Sequence, residues 1–167
     1  MSDSEQRQRY DTFADRYDEF FRARQIAKLE QLAPHLRAPA GFPSLDAGCG
    51  TGIAERVYQR PFVNVDLSRG MLGYVQRAPV QANIKALPFR DNTFELIVCI
   101  SVLLDTTPMK PAIQELFRVL RPRGQLAVSV LKSEDLAHAE RTLLAQTHLP
   151  IKRLDLGPDL AFLVEKP

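Results

Sequence analysis

Apolar segments of strand length alternate with segments of helical period along most of the chain, and the last two strand-like segments close as a hairpin. The sequence therefore predicts an α/β fold: a doubly wound, seven-stranded, mainly parallel sheet with helices on both faces. Two local observations agree. A short apolar strand runs directly into the glycine-rich stretch Leu45-Asp-Ala-Gly-Cys-Gly-Thr-Gly52, and 94–100 is the most continuous apolar run, with one internal charge, as expected of a strand at the sheet centre. At 167 residues the chain reads as a single domain, with an N-terminal helical segment over 1–40 and the α/β core over 41–167.

In order, Tyr10, Phe13, Tyr17 and Phe20 recur at spacings of three and four, which places four aromatics on one helical face over 10–21. A second helix is expected over about 22–33, with Ile26, Leu29 and Leu32 as its buried stripe, until Pro34 interrupts it. Pro39, Gly41 and Pro43 link it to the first strand. After the glycines, Ile53, Ala54, Val57 and Tyr58 define a helix that Pro61 stops after about two turns. The run 62–65 reads as a buried parallel strand ending in Asp66, and Ser68 caps a following helix that Gly70 and Gly73 keep short. In that helix Met71, Leu72 and Val75 face inward.

Beyond the central strand, Pro111 opens a helix striped by Ile113, Leu116, Phe117 and Leu120, which ends before Pro122 and Gly124. A strand over 125–130 follows. Ser133 is the expected cap of a helix through Gln146, and strands over 151–156 and 160–165 are joined at Gly157-Pro158-Asp159. No apolar run approaches the roughly 20 residues needed to span a bilayer, and the polar N-terminus lacks the apolar core of a secretory signal, so no membrane segment and a cytoplasmic location are expected.

The formal net charge is only +2, with basic and acidic residues interspersed, so nothing demands a nucleic-acid partner. His35, His138 and His148 are scattered and neither Cys49 nor Cys99 belongs to a C-x-x-C pair, so no metal site is predicted. The cysteines read as small buried residues beside the loop.

The chemistry concentrates at Gly48, Gly50 and Gly52, whose alternation lets the backbone turn tightly and approach a ligand that side chains would exclude. The dinucleotide pattern G-x-G-x-x-G would need glycine at position 53, which is Ile53. Asp46 stands just ahead, where a pyrophosphate anion would otherwise be received, and a carboxylate there suits a cation. Asp66, twenty residues on, can accept from both hydroxyls of a ribose or can be an ordinary strand-end cap.

These residues resemble the class I S-adenosylmethionine-dependent methyltransferases, particularly the small-molecule branch that includes ubiquinone and menaquinone biosynthesis methyltransferases. The resemblance extends over essentially the whole chain: Tyr10, Asp11, Ala14, Tyr17 and Asp18 before the first strand, the glycine loop with Asp46, Asp66, the stretch Ala82-Asn-Ile-Lys-Ala-Leu-Pro-Phe89, and Leu120-Arg-Pro-Arg-Gly124 before the fifth strand. It implies a Rossmann-like sheet of order 3-2-1-4-5-7-6 with strand 7 antiparallel, and S-adenosylmethionine as cofactor.

On that resemblance Asp46, Gly48, Cys49 and Gly50 meet the methionine end, Asp66 the ribose with Leu67 and Met71 beside it, and Asn83, Ile84 and Leu87 the adenine. The Asp expected at position 83 is Asn83, whose amide oxygen can still accept from the adenine amine; a surface-turn Asn is the other reading. Tyr10 and Tyr17 either close over the cofactor or pack on the core. Because ligands bind beyond the carboxyl ends of parallel strands, Cys99, Ile100 and Ser101 should border the methionine end, and Leu103, Leu104 and Asp105 should face the acceptor.

Asp105 is the only acid at a strand end on that side, a candidate base or acceptor-orienting residue, or a helix cap with Thr106 and Thr107. The chain departs from the family in carrying Leu104 and Asp105 where paired histidines are frequent, Arg123 where glycine is usual, and no Asn/Asp-Pro-Pro-Tyr element. The expected activity is methyl transfer to a small-molecule acceptor, the alternative a catalytically silent S-adenosylmethionine-binding partner or sensor. Ile53 and Asp46 weigh against a dinucleotide-dependent oxidoreductase. The short closing turn leaves the acceptor pocket open, to be completed by a second copy of the chain in a homodimer or by a large substrate.

Overall fold

A computed structural model describes residues 2–37, 41, 43–104 and 108–167. Its centre is a sheet of β1 (Ser44–Ala47), β2 (Val63–Asp66), β3 (Pro79–Gln81), β4 (Phe94–Ile100), β5 (Leu120–Leu131), β6 (Lys152–Asp155) and β7 (Asp159–Glu165), in the order β3-β2-β1-β4-β5-β7-β6. The first five strands pair in parallel, and β7 runs antiparallel to both β5 and β6. This is the predicted order. It puts β4 at the middle, and the two-residue periodicity of a strand there sends Leu96 and Val98 to one apolar layer and Ile97 and Cys99 to the other.

Helices cover both faces. The layer of Ile97 and Cys99 is closed by Ile113, Leu116 and Phe117 of α4 (Met109–Val119) and Leu143 of α5 (Leu136–Leu144). The other layer is closed by Leu29 and Leu32 of α1 (Asp3–Leu32) and Ile53 and Ala54 of α2 (Ile53–Tyr58). The short α3 (Arg69–Leu72) is capped by Ser68, whose hydroxyl accepts from the Met71 N–H at 3.1 Å. Among the described residues no helix is long and apolar enough to cross a membrane.

Four expectations are corrected. The two N-terminal helices are one helix of 30 residues, about 45 Å long, because no proline or glycine interrupts residues 3–33; Pro34 sits in a 3-10 turn that continues it. Its start is set by a capping box in which Ser2 and Glu5 exchange hydrogen bonds. α4 begins at Met109, ahead of Pro111, and Leu120 belongs to β5, where it pairs with Phe94. α5 is capped by Asp135 accepting from the His138 N–H at 2.8 Å, and not by Ser133. Asp159 is the first residue of β7 and fully buried, not part of an exposed turn. Arg123, where the resembling family has glycine, takes the left-handed φ of +64°.

Candidate functional site

The strand order reverses between β1 and β4, and a cleft opens over their carboxyl ends. Gly48 begins the turn out of β1 with φ +78°, and a Cβ there would stand 2.3 Å from a Val102 methyl, so only glycine fits. Val65 O accepts from the N–H groups of Gly48 (2.7 Å) and Cys49 (2.9 Å), which ties the loop to β2. Asp66 fixes it from below: one carboxylate oxygen accepts from Gly50 N–H and the other from Ser68 N–H, each at 2.8 Å.

Asp66 lines the cleft, and each of its oxygens, having accepted one of these bonds, keeps acceptor capacity. Leu67, Met71 and Ile84 line the same space, with Asn83, Ile100 and Ser101 at its ends. Tyr10 and Tyr17 reach it from α1, placing this helix over the cleft. The helix is fastened beside it: Asp11 accepts from Ser68 Oγ (2.6 Å) and Gly70 N–H (2.8 Å), and Asp3 accepts from Asn83 Nδ2 (2.8 Å) and Lys85 Nζ (2.7 Å). Asn83 Oδ1 accepts from Lys85 N–H at 3.0 Å, so its amide is oriented by the protein before any ligand arrives.

Asp46 and Cys49 line a smaller adjoining pocket that shares Tyr17, Gly48, Gly50 and Ile100 with the cleft. The Asp46 carboxyl is buried and, among the described residues, meets no cation and accepts no hydrogen bond. Burial pushes its pKa up to about 8, with the Asp66 and Glu55 carboxylates adding to the rise. Burial likewise raises the Cys49 thiol and lifts Tyr17 to about 12, so neither ionises near neutrality. A buried carboxyl in this condition takes up a cation readily, because pairing removes the penalty of leaving its charge alone.

Two expected residues are not brought to the cleft. Leu87 lies in the core, its N–H donating to Glu115 Oε2 at 2.8 Å in a clamp built by Arg118. Cys99 points into the opposite apolar layer, as the alternation along β4 requires. Leu103 is also core, and Asp105 lies outside the described residues.

A second cavity of about 360 Å³ lies between α1 and the ends of β4 and β5, within the size range of small-molecule sites. It shares Tyr10, Tyr17 and Ser101 with the cleft, and Leu104 lines it as expected for the acceptor side. Its floor was not foreseen. Lys28 Nζ donates to Ser101 Oγ at 2.8 Å and stands 2.7 Å from Asp159 Oδ1 in ion-pair rather than hydrogen-bond alignment. The side chains are 3% and 0% exposed. Asp159 Oδ2 accepts from Ser101 Oγ (2.7 Å) and Ser129 Oγ (2.6 Å). The available signal was Lys28 itself, a charge four residues before Leu32 on the buried stripe.

The architecture and the acidic glycine loop at the switch point define an α/β domain with an open cleft at the carboxyl edge of its sheet. The chain belongs to the Methyltransferase domain family, whose model matches residues 45–128. It is 34% identical over 172 aligned residues to a malonyl-[acyl-carrier protein] O-methyltransferase of Halorhodospira halophila, covering 90% of this chain and 58% of that protein. A botryococcene C-methyltransferase of Botryococcus braunii is 30% identical over 124 residues, 64% of this chain and 32% of its own length. The chain thus spans about a third to three fifths of the length of these relatives. In fold it resembles an S-adenosylmethionine-dependent methyltransferase of Aquifex aeolicus, with TM-score 0.73 and 16% identity over 93% of this chain and 97% of that one.

Proposed function

We propose that the chain is an S-adenosylmethionine-dependent methyltransferase acting on a small-molecule acceptor. The observation that carries this reading is the pair of carboxyls around the glycine loop: Asp66, which lines the cleft, and Asp46, buried and without a cation among the described residues. A nucleoside with a cationic amino-acid tail answers both. Asp66 would hold the ribose hydroxyls, Asp46 the ammonium side, Gly48, Cys49 and Gly50 the tail, and Leu67, Met71, Asn83 and Ile84 the adenine end, with Ile100 and Ser101 under the methionine. Tyr10 and Tyr17 close the site from α1, while Leu87 supports it from the core.

The cofactor supplies an activated methyl group on sulfonium. The chain supplies position, orientation and exclusion of water at the junction of the two cavities, which are the main needs of an in-line displacement. Asp105, which follows β4 in sequence, would orient the acceptor, with Asp105→Asn expected to lower turnover and leave cofactor affinity intact.

The test is calorimetric titration with S-adenosylhomocysteine and with NAD, followed by incorporation of labelled methyl from S-adenosylmethionine into a metabolite extract. Micromolar binding of the first ligand, none of the second and a labelled product are expected. Absence of S-adenosylhomocysteine binding would sink the proposal, and binding without transfer to any acceptor would favour a sensor or partner role.

A further inference from the structure

The second cavity has a composition opposite to that of the cleft. Tyr10, Phe13, Tyr17 and Phe21 form an aromatic wall along one side of α1, with ring centroids 6.4 Å apart for Phe13–Tyr17, 6.0 Å for Phe13–Phe21 and 5.1 Å for Tyr17–Phe21. Among the described residues, the charged groups that line it are all cationic: Arg9 and Arg24, and Lys28 at the floor. Neither arginine meets a carboxylate at ion-pair distance among the described residues, and none of these lining the cavity is a carboxylate or an imidazole.

The floor has the form of an oxyanion seat. Among the described residues Lys28 makes one hydrogen bond, to Ser101 Oγ, and its ammonium has three donors, so donor capacity is left at the cavity. The ammonium is held by Asp159, which is itself held by Ser129. Ser101 borders both cavities, has a left-handed φ of +59°, and donates its N–H to Ser129 Oγ at 2.9 Å. A non-glycine residue kept in that conformation at the meeting point of two pockets is fixed by its surroundings. An anion on the Lys28 side adds a second negative charge to the Lys28–Asp159 pair, which the Arg9 and Arg24 guanidiniums and the sulfonium of the adjoining cleft would offset.

On the methyltransferase reading of the adjoining cleft, we propose that the acceptor is a small aromatic oxyanion, a carboxylate or a phenolate, seated in this cavity with its ionised oxygen on Lys28 and Ser101. The ring lies against the aromatic wall, and Arg9 and Arg24 draw the negative charge in. An oxygen lone pair of the acceptor forms the new O–C bond while the methyl C–S bond breaks, its electron pair passing to sulfur. The negative charge of the acceptor and the positive charge of the sulfonium disappear together. No proton has to move, which suits a cavity whose described lining holds no carboxylate or imidazole to act as a general base.

The test uses 2-naphthoate and 2-naphthol as carboxylate and phenol probes and the neutral 2-naphthamide as control, titrated with and without S-adenosylhomocysteine. 2-Naphthoate should bind at least tenfold more tightly than 2-naphthamide if the carboxylate is the source, and 2-naphthol should do so, increasingly as it ionises, if the phenolate is. In the charge-balanced double variant Lys28→Met/Asp159→Asn the preference should fall about tenfold, with S-adenosylhomocysteine affinity changed less than threefold. Arg9→Gln/Arg24→Gln, altered only at exposed side chains, should lose about threefold, and it decides the matter if the buried double variant does not fold. Equal binding of charged and neutral probes, no binding of any, or an unchanged preference in the variants overturns the proposal. Loss of S-adenosylhomocysteine binding alone, with the oxyanion preference retained, overturns the methyltransferase reading instead.

Discussion

The cleft and the cavity beside it are opposite in charge and opposite in construction. The cleft and the small pocket adjoining it are acidic, with Asp66 and Asp46 respectively, and are built from backbone turns at the ends of β1 and β2. The cavity is basic and aromatic, and is built from side chains that α1 lays over the far ends of β4, β5 and β7. A cation and an anion would therefore be delivered to the same meeting point, at Tyr10, Tyr17 and Ser101. On the proposed reading, backbone turns would hold the cofactor, whereas the acceptor side is made by side chains from distant segments, which can change without disturbing the fold.

Substitutions on either side test this division. The largest effect is expected on the cavity side: Lys28→Ala strips the buried Asp159 of its cation and should destabilise the fold by about 3–5 kcal/mol in urea denaturation. Lys28→Met/Asp159→Asn, which removes both charges, should recover most of that loss; failure to recover would mean that packing of the lysine stem matters more than charge. Gly48→Ala tests the cleft side. It adds a Cβ 2.3 Å from Val102 at a φ of +78°, and should cost about 2–4 kcal/mol while abolishing S-adenosylhomocysteine binding in calorimetry.

Asp46→Asn should leave the fold at least as stable and weaken S-adenosylhomocysteine binding about a hundredfold, some 2.7 kcal/mol. Its pH dependence gives a sharper reading. The Asp46 pKa is pushed up to about 8, so between about pH 4 and 8 the folded chain keeps a proton that the unfolded chain has released. Stability attributable to this group thus falls as pH rises through that window, and Asp46→Asn should flatten the slope in urea midpoints measured from pH 5 to 8. A bound ammonium favours the ionised form, so at pH 7 binding should release close to one proton in calorimetry across buffers of different ionisation enthalpy. No release would place the cation elsewhere.

The smallest effect belongs to the fastening of α1 over the cleft. The Asp3–Lys85 pair is half-exposed, so Asp3→Ala should change stability by less than about 1 kcal/mol. It frees the helix end and the Asn83 amide, and should speed S-adenosylhomocysteine release in stopped-flow displacement; an unchanged rate would show that α1 does not limit access.

The cleft was largely legible because its signals are local. Gly48 to Gly52 fix the turn, the spacing to Asp66 follows from one strand–helix–strand unit, and Ile53 and Asp46 bear on the ligand. Cys99 and Leu87 were misplaced because nearness in sequence to a strand end does not say which face a side chain takes; the registry of β4 and the Arg118 clamp decide that. The single 30-residue α1 was missed because its aromatic face ends at Phe21 and its aliphatic stripe begins at Ile26, with Arg22, Arg24 and Gln25 between them, so no one apolar stripe runs the length of the helix.

The sequence by itself determined the α/β class, most of the strands and the glycine loop, since each depends on periodicity, turn chemistry and connections between neighbouring segments, while the strand order followed from the family resemblance. Only the tertiary structure decided that Lys28, Ser101, Ser129 and Asp159 form one buried cluster. These residues come from four segments separated by between 28 and 73 positions, and each alone resembles an ordinary helix, loop or strand residue. Their mutual compensation of charge exists only once α1 is laid across the sheet and water is excluded.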